Sequence, residues 1–194
     1  MKQELTEQIK TALKRTGSDI ELAMMQAFIE VESGGKGFDE KTGKILIQFE
    51  PSWFRRKAPY APSGAWSVNT VDVQRKEWTA FNDAFRKDPN AAMESTSIGL
   101  PQIMGFHWKR LGYSSVGAMW DDFKESTVNQ IAALITFIET DRRLKSAIED
   151  KDWHLIAYIY NGAGYMSMAY KYGRTPYNIS LQQAYEKYSA LSEQ

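Results

Sequence analysis

The sequence predicts a mainly helical domain with a small β element inserted after the second helix. Three observations predict it. Apolar residues recur at helical spacing over most of the chain. One short run, Lys44-Ile45-Leu46-Ile47-Gln48-Phe49, is rich in β-formers instead. The region around it, 34–70, is punctuated by Gly34, Gly35, Gly37, Gly43, Pro51, Pro59, Pro62 and Gly64.

Taken in order, Leu5, Ile9 and Leu13 mark the stripe of a first helix, interrupted at Gly17. Ser18 and Glu21 have the spacing of a capping box. The helix behind them has an apolar face of Ile20, Met24, Ala27, Phe28 and Val31 and ends at Ser33-Gly34-Gly35. The β-rich run follows as a strand or hairpin, closed by Pro51, and residues 57–70 read as loop. Helical spacing resumes at Trp78, Phe81 and Phe85 and stops at Asp88-Pro89. Further helices are expected over 90–104, 114–124, 127–148, 152–161 and 178–191. In the segment 127–148, Val128, Ile131, Leu134, Ile135 and Ile138 form a core stripe.

Composition removes several kinds of chemistry. The 194 residues carry 24 Lys plus Arg against 24 Asp plus Glu, so there is no basic surplus for nucleic acid. With no cysteine there is no disulfide, thiolate zinc site or thiol nucleophile. Only two histidines occur, His107 and His154, and there is no HExxH, so no metal site is expected. No GxSxG elbow is present. Gly37 to Gly43-Lys44 mimics a phosphate loop, but its glycine spacing is wrong and Ile45 stands where Ser or Thr is needed; it reads as a hairpin turn. No apolar run resembles a signal peptide or a membrane span. What remains is carboxylate chemistry.

Glu32 stands out among the carboxylates. It lies at the end of an apolar helix, beside Phe28, Ile29 and Val31, next to a glycine-rich loop. Desolvation there raises a carboxyl pKa, and the negative end of the helix dipole acts in the same sense. An acid held neutral near about pH 6–7 suits protonation of a poor leaving group. Glu30, two residues away, points to another helix face.

Three separated segments carry a resemblance. Ala27-Phe28-Ile29-Glu30-Val31-Glu32-Ser33-Gly34-Gly35 resembles the Glu-Ser helix end of lytic transglycosylases and goose-type lysozymes. Ser97-Ile98-Gly99-Leu100-Pro101-Gln102-Ile103-Met104 is similar to their Gly-Leu-Met-Gln-Ile segment, with Pro101 in place of Met. Tyr160-Asn161-Gly162-Ala163-Gly164 is similar to their Tyr-Asn-Ala-Gly segment. A closer resemblance, from about residue 17 to 172, is to the N-acetylmuramidase family of phage endolysins. It adds Phe38, Lys44-Ile45-Leu46, Phe49-Glu50 and Glu94-Ser95-Thr96-Ser97 through Gly105-Phe106.

The resemblance implies an α+β lysozyme-like fold: one catalytic domain over 1–194, a small β-containing lobe at about 34–70, and no separate wall-binding module. It implies cleavage of the β-1,4 bond between N-acetylmuramic acid and N-acetylglucosamine, with Glu32 as the acid. Glycoside hydrolysis also needs stabilisation of positive charge at the anomeric carbon. Glu50, after the strand, and Glu94, before the Ser-Thr-Ser segment, are the two candidates. Assistance by the substrate's own N-acetyl group, as in a lytic transglycosylase forming 1,6-anhydro ends, stays open. A non-catalytic glycan-binding module is the third reading. Ser97, Gln102, Tyr160 and Asn161 are the expected polar sugar contacts, and Gly99 allows close backbone approach. Trp53, Tyr60 and Trp66 are aromatic candidates, with packing the more ordinary role for each. The implied partners are peptidoglycan strands and, indirectly, a holin that releases the enzyme from the host cytoplasm to the wall. The enzyme is expected to be a monomer without cofactor or metal, inserted in no membrane and bound to no nucleic acid.

Overall fold

Helices form where the apolar spacing is helical, and the sheet forms where β-branched segments find a distant partner. The computed structural model describes residues 1–70 and 73–192. In chain order it holds α1 (Gln3–Thr16), α2 (Leu22–Ser33), β1 (Ile47–Phe49), α3 (Pro51–Lys57), α4 (Gln74–Lys87), α5 (Pro89–Glu94), β2 (Thr96–Ile98) and β3 (Ile103–Met104). There follow α6 (Val116–Glu125), α7 (Thr127–Glu139), α8 (Arg142–Glu149), α9 (Trp153–Tyr160), α10 (Tyr165–Lys171) and α11 (Tyr177–Ser192). Short 3₁₀ turns lie at Ala65–Val68 and Gly105–His107. The fold is mainly α with a small antiparallel sheet. No described helix is long and apolar enough to cross a membrane.

The chain divides into two compact units, one of Met1–Gly35 with the residues from Ile131 onward, the other Lys36–Gln130. In the first, α2 is the centre: Met25, Ala27, Phe28 and Ile29 are fully buried. It packs against α11, whose Tyr177, Leu181, Ala184 and Tyr188 form a buried stripe at helical spacing. Ile131, Leu134, Ile135 and Ile138 of α7 are fully buried, as their stripe predicts.

In the second unit the strand order is β1-β2-β3, all antiparallel, with Ile47 opposite Ile98 and Phe49 opposite Thr96. Helix α4 occupies the outer edge of β1. Gln74 Oε1 accepts from Ile47 N (3.0 Å), its Nε2 donates to Ile47 O (2.8 Å), and Glu77 Oε2 accepts from Phe49 N (2.8 Å). Beneath the sheet, the Phe54 ring lies 5.8 Å from Phe49 and 4.8 Å from Trp66. Gln130 is fully buried. Its Oε1 accepts from Leu100 N (2.7 Å) and its Nε2 donates to Phe123 O (2.8 Å).

Several expectations need correction. Of strand and hairpin, the β-rich run is a strand: its one local bridge among the described residues is Phe38–Ile45, β1 pairs with residues expected to be helical, and the local hairpin is β2 with β3. The helix expected over 90–104 stops at Glu94, because Thr96 and Ile98 are β-branched and pair with β1, and Gly99 then adopts φ 69°. The turn read at Gly37–Gly43 is present, with Asp39 accepting from Lys41 N and Thr42 N. The capping box is absent. Ser18 Oγ donates to Glu139 (2.7 Å), and Glu21 is engaged by Tyr185 and Lys151. The segment 127–148 is two helices, since Asp141 caps α8 by accepting from Arg143 N and Leu144 N. Pro51 ends the strand and also starts α3, its missing N–H costing nothing at N1.

Gln130 ties the sheet's turn to the helical part of its unit. We predict that Gln130→Leu, which strands a buried N–H and a buried C=O, lowers stability by roughly 2–5 kcal/mol, read as a lower urea midpoint. Gly99→Ala should act in the same direction, because a Cβ there lies 2.7 Å from Gln130 Oε1 and Gly99 has positive φ.

Candidate functional site

Glu32 sits in the last turn of α2. The helix ends because Gly34 adopts φ 61°, its N–H bonded to Glu30 O (2.9 Å), while Gly35 N–H reaches Ile29 O (3.2 Å). One turn earlier is the buried Phe28, whose ring lies 5.0 Å from that of Tyr160. Tyr160 also packs on Phe137 (5.5 Å) and stacks on Tyr177 at 20° (6.2 Å). The Tyr177 hydroxyl donates a hydrogen bond to Glu32 Oε1.

This setting governs protonation. Burial pushes the Glu32 carboxyl from 4.5 up to about 7, opposed by the hydrogen bond from Tyr177. Loss of hydration penalises the charged form, and a donated O–H stabilises it. Tyr177 and Tyr160 are themselves pushed well above 10.0, first by burial and then by the neighbouring Glu32 charge. Both phenols therefore stay neutral, and Tyr177 always has a proton to donate. Nothing in the sequence pattern singles out Tyr177. Its place in the stripe Tyr177, Leu181, Ala184, Tyr188 marks it as buried, but not as the partner of Glu32. Asn161, the cap of α9, follows Tyr160 and is exposed.

The other expected residues lie in Lys36–Gln130. Glu50 follows β1, its N–H bonded to Ser95 O (2.9 Å) and its carboxylate accepting from Gln48 Nε2 (2.8 Å). Burial raises its pKa, Gln48 lowers it, and the charge of Glu77 raises it again. Glu94 is differently placed: Lys57 Nζ lies 2.6 Å from its Oε2, and Trp108 Nε1 donates to its Oε1 (2.9 Å). Both of its carboxylate oxygens are thus engaged by side chains of its own unit. Ser97 and Gln102 come together, Ser97 Oγ donating to Gln102 Oε1 (3.1 Å). Gln102 Nε2 donates back to Gly99 O (2.7 Å). Gln102 holds φ 49°, unusual for a residue with a Cβ, so the turn keeps its amide fixed against its own backbone. Trp66 is 1% exposed and donates to Pro62 O, which rules it out as a sugar platform. Trp53 is partly exposed against Phe106 (4.8 Å), and Tyr60 is exposed with its hydroxyl on Asp88. Phe85 is exposed.

A glutamic acid kept neutral at the end of a buried helix, on a mainly α fold with a three-stranded antiparallel sheet, defines a lysozyme-like protein. The comparisons agree. The family model for N-acetylmuramidase matches residues 21–189, and the chain belongs to the Muramidase family. The crystal structure of the Burkholderia AP3 phage endolysin aligns with a TM-score of 0.78 at 31% identity, covering 96% of this chain and 71% of that one. A search of curated proteins returned no match.

Two consequences of the Glu32 setting are measurable. The folded chain holds this proton to higher pH than the unfolded chain, so Glu32 makes stability fall as pH rises from about 4.5 to about 7. Glu32→Gln should remove that part of the slope in pH-dependent urea unfolding. Tyr177→Phe deletes the donor but keeps the ring, so NMR titration of the Glu32 carboxyl should place its pKa above that of the parent.

Proposed function

We propose that this chain is a peptidoglycan-degrading endolysin. It acts as an N-acetylmuramidase, hydrolysing the β-1,4 bond between N-acetylmuramic acid and N-acetylglucosamine. The observation that carries the proposal is Glu32, held protonated to about pH 7 at the end of α2 in a chain of the N-acetylmuramidase family. Glu32 gives its proton to the glycosidic oxygen as the bond to the anomeric carbon breaks, and the leaving sugar departs as an alcohol. The carboxylate left behind keeps the hydrogen bond from Tyr177, which steadies the charge just formed. Water then adds to the anomeric carbon and its proton is taken up, so the balance is hydrolysis.

Of the two further carboxylates, Glu50 is the one suited to the oxocarbenium-like charge. Among the described residues its carboxylate accepts from a neutral amide, Gln48, whereas Glu94 is neutralised by Lys57. Tyr160 and Asn161 are the saccharide contacts on the Glu32 side of the reaction. Ser97, Gly99 and Gln102 are further saccharide contacts. The enzyme works as a monomer and needs no cofactor. It accumulates in the host cytoplasm, reaches the wall once a holin opens the membrane, and lyses the cell.

Three experiments test this. Glu32→Gln should reduce release of muropeptides from purified sacculi by roughly a hundred- to ten-thousand-fold with a thermal midpoint no lower than the parent's; near-parental release overturns the assignment of the acid. Mass spectrometry of the products should show reducing muramic acid ends, while 1,6-anhydro ends would make the enzyme a lytic transglycosylase. In the pH profile, activity should decline above about pH 7 as Glu32 loses its proton, and Tyr177→Phe should move that limb upward.

A further inference from the structure

The chain carries 24 acidic residues, yet 153–185 contains none. Within this stretch α10 and the residues behind it present an unusual surface. Tyr172 caps α10, its N–H bonded to Met168 O, so Met168 and Tyr172 stand one turn apart on one side. Both are exposed, at 50% and 55%, and Tyr170 beside them is 72% exposed. Two cations flank the Tyr172 ring: Lys171 Nζ lies 5.3 Å and the Arg174 guanidinium 5.5 Å from its centroid. Neither Lys171 nor Arg174 has an ion pair among the described residues.

Exposed aromatic surface rimmed by unneutralised cations is a recognition surface rather than solvated filler. A ligand that fits it offers a flat C–H face for tyrosine and an anion for the two cations. We infer that the Met168–Arg174 surface binds uncleaved peptidoglycan strand, with a saccharide ring on Tyr172 or Tyr170 and stem-peptide carboxylates on Lys171 and Arg174. The inference rests on the wall being the substrate, as proposed above, and adds where the rest of the polymer is held. An anionic lipid surface would also attract cations and tyrosines. The patch has only two cations and no exposed Trp, Phe or Leu, little for a membrane-surface helix to insert. It also follows Tyr160-Asn161, the proposed saccharide contacts, by a few residues in the chain.

The test uses full-length Glu32→Gln, which should bind the wall without cutting it. Its cosedimentation with purified sacculi is compared with the same protein carrying Lys171→Gln, Arg174→Gln and Tyr172→Ala, after thermal midpoints establish that both are folded. The surface variant should bind about tenfold more weakly at low salt. The gap should narrow at high salt. Stripping stem peptides from the sacculi with an amidase should weaken the parent and narrow its lead over the variant, leaving only the saccharide contact of Tyr172. Equal binding of parent and variant to intact sacculi overturns the inference, as does parental binding that ignores stripping. Loss of binding to phosphatidylglycerol vesicles alone, with sacculus binding intact, overturns it in favour of a lipid partner. Wall cleavage by Glu32→Gln would instead remove the catalytic reading and leave the binding comparison standing.

Discussion

The hydrogen bond from Tyr177 to Glu32 is the constraint around which the first unit is organised. It joins the first residue of α11 to the last turn of α2, two helices separated by most of the chain. A buried carboxyl with no donor would be driven far toward the neutral form, and one with several donors would stay ionised. A single neutral phenol leaves Glu32 between those limits, at about 7. The aromatic packing of Phe28, Tyr160, Phe137 and Tyr177 keeps that phenol in place. Helix packing and acid strength are therefore one problem here. The face of α11 that buries Leu181 and Ala184 against α2 is the face that carries the donor.

The second unit uses amides where the first uses phenols. Gln74 satisfies the free edge of β1, Gln130 secures the turn between β2 and β3, and Gln102 closes that turn on itself. Each side chain supplies both a donor and an acceptor, which suits it to backbone groups that lack a neighbouring strand. A sheet of three strands and eight residues has few ladder bonds of its own. The unit depends on these side chains to complete the pairing.

Much of this was legible in the sequence, unevenly. Helix α11 lies within one residue of the expected 178–191, and α1 carries its expected stripe and ends at Gly17 as expected. Glu32 was legible because burial, helix end and glycine-rich loop all converge on one position. The sheet was not, because the pairing of Ile47 with Ile98 is non-local and Thr96–Ile98 sits inside a segment with helical apolar spacing. Asp141 is a strong cap, but Leu144 and Ile148 beyond it resume an apolar helical spacing. Glu50 and Glu94 look alike in sequence; Lys57 and Trp108, from elsewhere in the chain, separate them. Tyr177 escaped for the same reason, since its meaning depends on a partner 145 residues away.

The edge of β1 has a consequence for life at high concentration. An unpaired strand edge is a template on which a second chain can add. Here the Gln74 amide imitates the peptide group of an absent fourth strand, and Glu77 takes the next exposed N–H. An incoming chain would have to displace both before it gained a bond. This edge is closed to sheet extension, so one route to fibrous association is blocked by the protein's own side chains.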